Sequence, residues 1–64
     1  MATIDDLRQK TLPELKDEAV RVREELAGLR LDLSLGRLKD TSKIKRAKKM
    51  LAQILTVIEQ KEVL

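Results

Sequence analysis

Apolar residues recur at alternating intervals of three and four on both sides of a short charged segment, and this spacing constrains the fold more than any other feature. Such heptad spacing places apolar side chains along one side of an α-helix, where they can pack against a partner helix. We call each series a seam: the first consists of Leu12, Leu15, Ala19, Val22, Leu26, Leu29 and Leu33, and the second of Ile44, Ala47, Leu51, Ile54 and Ile58. Each seam predicts a long amphipathic helix.

Local signals indicate where these two helices begin and end. Thr11 and Glu14 have the spacing of a capping box, and Pro13 lies in the first turn, where no amide donor is required. Gly36 follows the last periodic turn and can adopt the left-handed conformation that ends helices. The oxygen-bearing side chains at 40–42 can accept hydrogen bonds from free amides at the start of the second helix.

The expected fold class is therefore all-α: a long antiparallel two-helix hairpin, coiled-coil-like, with a short N-terminal helical turn. The connection between the long helices is short enough to force them to be antiparallel neighbours. Thr3 is expected to cap the N-terminal turn, on which Ile4 and Leu7 share a face. The expected parts of this single domain, 1–64, are a short helix at 1–10, a first long helix at 12–35, a loop at 36–40 and a second long helix at 41–61.

Positive charge is concentrated between Arg37 and Lys49. Seven of these thirteen residues are basic and one, Asp40, is acidic, so the segment carries +6 in a chain of net charge +3. Helical geometry places Lys45, Arg46 and Lys49 opposite the second seam. An exposed solvated face is the plain alternative, but few nearby acids are available to neutralise the segment. The pattern therefore favours a polyanionic partner.

The residue types that are missing narrow the function further. Without cysteine and histidine the usual zinc, haem and iron–sulfur ligands are absent, so neither a metal nor a cofactor is expected. Without Phe, Tyr and Trp, nucleic-acid bases have no aromatic ring to stack on, and binding would be to phosphate and shape. The acids are typical of exposed helix faces, and two glycines eight residues apart cannot form a phosphate-cradling loop. Neither an enzyme nor a small-molecule substrate is expected.

Hydropathy predicts neither a membrane span nor a signal peptide, because no uncharged run approaches the roughly 20 residues that cross a bilayer. A cytoplasmic protein without a membrane partner is the expectation.

A narrower apolar stripe lies on the far side of the first long helix, about 160° from its seam, so one partner helix cannot cover both. Two interpretations are open for its Val20 end: the N-terminal turn folds back over it, or another chain covers it. Gly28, which belongs to this stripe, either allows the backbone of another helix to approach closely or is a glycine that the helix merely tolerates. Met50 and Val57 widen the second seam and favour packing between helices. The stripe comprises Val20, Ala27, Gly28, Leu31 and Leu35.

Together, Leu29-Arg30-Leu31, Gly36-Arg37-Leu38 and the run from Asp40 to Ile54 resemble the family of the twenty-ninth protein of the large ribosomal subunit. The resemblance covers about residues 11–62. Its most specific part is Lys43–Ile54, where a basic helix face runs into Leu-Ala-x-Ile.

This resemblance implies a helical hairpin that lies on large-subunit ribosomal RNA, in the cytoplasmic ribosome. Family members sit beside the polypeptide exit tunnel, next to the twenty-third large-subunit protein, where ribosome-associated chaperones and targeting factors dock. Carried over by position, and with Lys39 added from the charged segment, the RNA-binding candidates are Arg30, Arg37, Lys39, Ser42, Lys43, Lys45, Arg46, Lys48 and Lys49.

The chain departs from the family pattern at Leu31, where an aromatic residue is frequent, at Met50, where many relatives have a polar one, and at Gln53 and Leu55, where basic residues are common. The RNA contact is therefore expected to end near Lys49. The candidates for a protein interface are Gly28, Leu31, Leu35, Met50 and Leu55.

Two other classes of function are compatible with parts of this pattern. A homodimeric four-helix bundle could act as an RNA-binding regulator or an interaction adaptor. A small all-helical mutase-like enzyme would need a third long helix to enclose its site, and the chain has no residues left for one.

Overall fold

The computed structural model describes residues 4–63, which form three helices: α1 at Ile4–Arg8, α2 at Leu12–Ser34 and α3 at Ser42–Val63. The long helices α2 and α3 pack against each other as a hairpin that extends over 43 × 17 × 15 Å, and no strand occurs in the described range. The predicted all-α hairpin is confirmed. The predicted cap at Thr3 lies outside the described residues.

The capping box predicted at the start of α2 is present. The Glu14 backbone N–H donates to Thr11 Oγ1 at 3.4 Å, and the Thr11 backbone N–H donates to Glu14 Oε1 at 3.3 Å. The Thr11 hydroxyl also donates to the same carboxylate oxygen at 2.8 Å. Pro13 occupies the first turn, where its missing N–H leaves no hydrogen bond unmade.

Gly36 ends α2 in the way its sequence position predicts. Its φ of +73° is left-handed, a conformation that a residue without Cβ adopts at little cost. The Gly36 N–H donates to the Leu33 carbonyl at 3.1 Å, and the Arg37 N–H donates to the Asp32 carbonyl at 2.8 Å, which is the Schellman pattern. With Leu35 as the C-cap, the helix proper ends at Ser34, one residue before the predicted end.

The bounds of α3 differ slightly from the predicted 41–61. Thr41 is the residue just before the helix, and its carbonyl accepts from the Lys45 N–H at 3.2 Å. At the other end α3 continues to Val63, because no glycine or proline follows Ile58 to stop it.

The two seams pack together with Leu7 of α1 in one core. Its buried members are Leu7, Leu15, Ala19, Val22, Leu26, Ile44, Ala47, Ile54 and Val57. Leu33, predicted as the last seam residue of α2, is instead 42% exposed. The core ends before it because α3 begins at Ser42 and its first buried residue is Ile44.

α1 packs against α3, with Leu7 only 1% exposed. Val20, on the far side of α2, is 52% exposed. The interpretation in which the N-terminal turn covers the Val20 end of the stripe is therefore wrong: the apolar face of α1, Ile4 and Leu7, joins the core instead. None of the described helices combines the length and the apolar character that a membrane crossing requires.

Candidate nucleic-acid interface

The loop and the first half of α3 carry a cationic surface. All seven of its basic residues are exposed, as the sequence predicts. Lys45 and Lys49 lie one helical turn apart, about 6 Å between their Cβ atoms, on the side of α3 opposite the core. Side chains at this spacing can contact several phosphates along one nucleic-acid backbone. The cationic surface consists of Arg37, Lys39, Lys43, Lys45, Arg46, Lys48 and Lys49.

Within residues 4–63, no ion pair neutralises the cationic surface. The ion pairs found in this range involve α1, the connection after it, the first half of α2 and the end of α3: Arg8–Asp5 at 3.5 Å, Lys10–Glu18 at 3.8 Å, Lys16–Glu62 at 3.2 Å and Arg21–Glu18 at 3.4 Å. Cations without a protein partner can neutralise phosphates, and the counterions that this releases from the nucleic acid supply affinity.

The acid of the basic segment, Asp40, stabilises the start of α3. Its Oδ1 accepts from the Ser42 backbone N–H at 2.9 Å, and its Oδ2 accepts from the Ser42 hydroxyl at 2.9 Å. These hydrogen bonds, with smaller contributions from Arg46 and Lys43, lower the pKa of Asp40. Its carboxylate therefore positions the cationic surface instead of neutralising it through a direct ion pair.

Acid should weaken this cap. Because the pKa of Asp40 is lower in the folded chain, the stability that the ionised carboxylate provides is complete above the unfolded value, about 4, and is lost as the pH falls through the folded value. Asp40→Asn keeps an oxygen for the Ser42 N–H but cannot titrate. Urea unfolding from pH 7 to pH 2 should show a flatter pH dependence in Asp40→Asn than in the wild type.

The variant Asp40→Ala is the matched control, since it removes both the charge and the acceptor. It should be less stable than Asp40→Asn at pH 7, where the wild-type cap is intact. Equal pH profiles for the wild type and Asp40→Asn would contradict the assignment.

Two other RNA-binding candidates have different surroundings. Arg30 is exposed on α2 and extends the positive charge along the hairpin. Ser42 is half-buried, and its hydroxyl proton is already donated to Asp40. As a phosphate ligand Ser42 would have to break that bond, so its clear contribution in this structure is to the helix start. The spacing of residues in the sequence does not reveal that the Ser42 hydroxyl is hydrogen-bonded to Asp40.

The candidates for a protein interface fall into two groups. Leu31, Leu35 and Leu55 are 57%, 54% and 38% exposed, so their apolar surface is available to a partner. Gly28 is also exposed, and among the described residues no atom outside its own stretch of helix lies within 4 Å of a Cβ built there. Met50 is half-buried against the core, as its place beside the second seam predicts.

Sequence reasoning missed one feature, a groove between α2 and α3 with a volume of about 460 Å³. Glu18 and Glu25 lie along its α2 edge, and Lys43 and Arg46 lie along its α3 edge. The sequence does contain a signal for this groove. Glu18 and Glu25 are seven residues apart beside the first seam, and residues one heptad apart share a helix face.

The fold and the cationic surface define a class: small helical hairpins that present a concentrated positive tip, suited to holding a polyanion. The family described as "Ribosomal L29 protein" matches residues 5–61 of this chain. Proteins named "Large ribosomal subunit protein uL29" are similar to it. Those of Petrotoga mobilis and Lachnospira eligens are both 41% identical, over 92% and 91% of this chain and 89% and 88% of their own lengths.

The protein of the same name from Sulfolobus acidocaldarius is 40% identical over 91% of this chain and 84% of its own length. No solved structure gives a significant match. The chain belongs to the ribosomal L29 protein family, as the resemblance of its residues indicated. Members of this family are structural and not enzymatic, so the chain is not an enzyme.

Proposed function

We propose that this protein is a structural constituent of the large ribosomal subunit and that its cationic surface holds it on large-subunit ribosomal RNA. Family membership supports the first statement. The observation that carries the second is the set of exposed cations, none of which is ion-paired within the described residues. Their arrangement fits a backbone contact that carries no base readout, since the chain lacks aromatic residues.

The extent of this contact follows from the distribution of charge along α3. Basic residues occupy its outer face through Lys49. Beyond them the same face carries Ala52, Thr56 and Glu59, which offer no cation to a phosphate. We therefore expect the first half of α3 and the loop to lie on RNA. The second half should face protein or solvent.

We also propose that the hairpin lies near the polypeptide exit tunnel, beside the twenty-third large-subunit protein and within reach of ribosome-associated chaperones and targeting factors. The resemblance to the family is the basis for this location. The exposed Leu31, Leu35 and Leu55 are consistent with it, because exposed apolar surface is available for protein contacts.

The homodimeric four-helix bundle has less support than the ribosomal role. The two seams pack against each other within one chain, so a second copy is not needed to bury them. Membership of a ribosomal protein family also supports the ribosomal role over a free regulator.

The salt dependence of binding tests the proposed RNA contact. If five to seven cations each replace a counterion, log K for large-subunit RNA fragments should fall against log salt with a slope of about −4 to −6. The measurement is a titration of labelled RNA at several potassium chloride concentrations. A slope near zero would overturn the proposal, because a phosphate contact always releases counterions.

A further inference from the structure

The short helix α1 indicates what the α2–α3 groove can hold, because it packs against α3 and leads directly to a lysine that contacts an acid of the groove's α2 edge. Leu7 of α1 and Val57 of α3 are each only 1% exposed and belong to the same core. Lys10, just after α1, pairs with Glu18 on the edge of α2 at 3.8 Å. At the end of the hairpin away from the loop, α1 is thus held by the burial of Leu7 and by the ion pair between Lys10 and Glu18.

One heptad along, the hairpin repeats these features without a helix to cover them. Met50 precedes Val57 by seven residues and Glu25 follows Glu18 by seven, so each shares a face with its counterpart. Met50 is only half-buried, and Glu25 is exposed. The groove between them is floored by Val22, Leu29, Ala47 and Met50.

The charges along the groove specify the chemistry of its occupant. Glu18 and Glu25 line the α2 edge, whereas Lys43 and Arg46 line the α3 edge. Glu25 forms no ion pair with any residue from 4 to 63. Two carboxylates beside an apolar floor disfavour a phosphate backbone, since like charges repel. A ligand with an apolar ridge and opposite charges on its two flanks is complementary to the groove.

We propose that the α2–α3 groove binds an amphipathic helical segment of a partner protein, continuing the place that α1 occupies. The segment presents an apolar ridge to the floor, basic residues to Glu18 and Glu25, and acidic residues to Lys43 and Arg46. Helices commonly bind grooves in this way, through side chains one turn apart. The inference rests on the groove and on α1. Lys43 and Arg46 belong to both the groove and the cationic surface, so the acidic residues of the segment and the phosphates of RNA would compete for these two side chains.

Designed peptides about two heptads long test the proposal with the full-length chain. Three peptides share one leucine ridge: the first has lysines on one flank and glutamates on the other, the second has only lysines and the third only glutamates. The mixed peptide should bind about tenfold more tightly than either uniform one, because only it avoids repulsion at both edges. Its binding should shift the NMR signals of Val22, Leu29 and Met50.

The variant Glu25→Lys makes the α2 edge of the groove more positive. It should weaken binding of the mixed peptide about fivefold and strengthen binding of the all-glutamate peptide. Glu24→Lys is the matched control, since it makes the same charge change on the neighbouring residue, which does not line the groove. This control should leave the order of the three affinities unchanged. Both glutamates are exposed, so neither substitution disturbs the core.

Several outcomes would overturn the inference. These are equal affinities for the three peptides, binding by none of them, and signal changes confined to the Leu31–Leu35 side of α2. A duplex RNA that shifts the Val22 and Met50 signals and displaces the mixed peptide would assign the groove to nucleic acid instead. That last result would leave the proposed RNA binding intact, so the two proposals fail separately.

Discussion

Replacing Lys45, Lys48 and Lys49 together by glutamine is expected to weaken binding to large-subunit ribosomal RNA about 30-fold at low salt. The three side chains are exposed on the outer face of α3 and have no ion-pair partner within the described residues. Each phosphate contact that is lost should also make the slope of log K against log salt shallower by about 0.7 to 0.9. Titrations at several salt concentrations measure both quantities.

The matched control removes the same amount of charge from the other end of the hairpin. Arg8, Lys16 and Arg21 lie in α1 and the first half of α2, and each is an exposed cation that forms an ion pair. Exposed pairs contribute little to stability, so their replacement by glutamine should leave the fold intact. If this control weakened RNA binding as much as the α3 variant, net charge alone would explain the affinity and the cationic surface would have no special role.

Replacing Leu15 by alanine is expected to unfold much of the isolated protein. Leu15 has no exposed surface, and truncating a buried leucine costs about 2 to 5 kcal/mol in lost burial and cavity formation. A single core in a chain of 64 residues rarely supplies more than about 3 to 5 kcal/mol. The loss is therefore comparable with the whole free energy of unfolding. Far-UV circular dichroism during urea and thermal unfolding measures it.

Leu31→Ala provides the comparison, because it is the same substitution in the same helix at a side chain that is 57% exposed. Surface substitutions of this kind change stability by less than about 0.5 kcal/mol. Similar losses from Leu15→Ala and Leu31→Ala would mean that the two seams do not form the core of the free chain.

The parts of the fold that the sequence predicts are those with local or periodic causes. Thr11, Pro13 and Glu14 specify the start of α2 within four residues, and Gly36 ends it through a left-handed φ that it adopts at little cost. The seams repeat every heptad, so most of the core follows from spacing alone. The exposure of the cations on α3 follows from the same periodicity, because they occupy positions outside the buried face.

Other features depend on tertiary contacts that no local pattern encodes. Whether α1 covers Val20 or packs against α3 depends on the three-residue connection to α2 and on how Leu7 fits into the core. The exposure of Leu33 follows from where α3 begins across the hairpin. The hydroxyl of Ser42 is engaged by Asp40 through side-chain geometry, which spacing does not determine.

The central claim is that the loop and the first half of α3 lie on ribosomal RNA. Lysine-specific chemical labelling, read residue by residue in free chain and in chain assembled into large subunits, tests it most directly. Subunit assembly should protect the lysines of the cationic surface, whereas Lys16, at the far end of the hairpin, should stay reactive. The account is contradicted if the lysines of the cationic surface, Lys39, Lys43, Lys45, Lys48 and Lys49, react as readily in subunits as in the free chain.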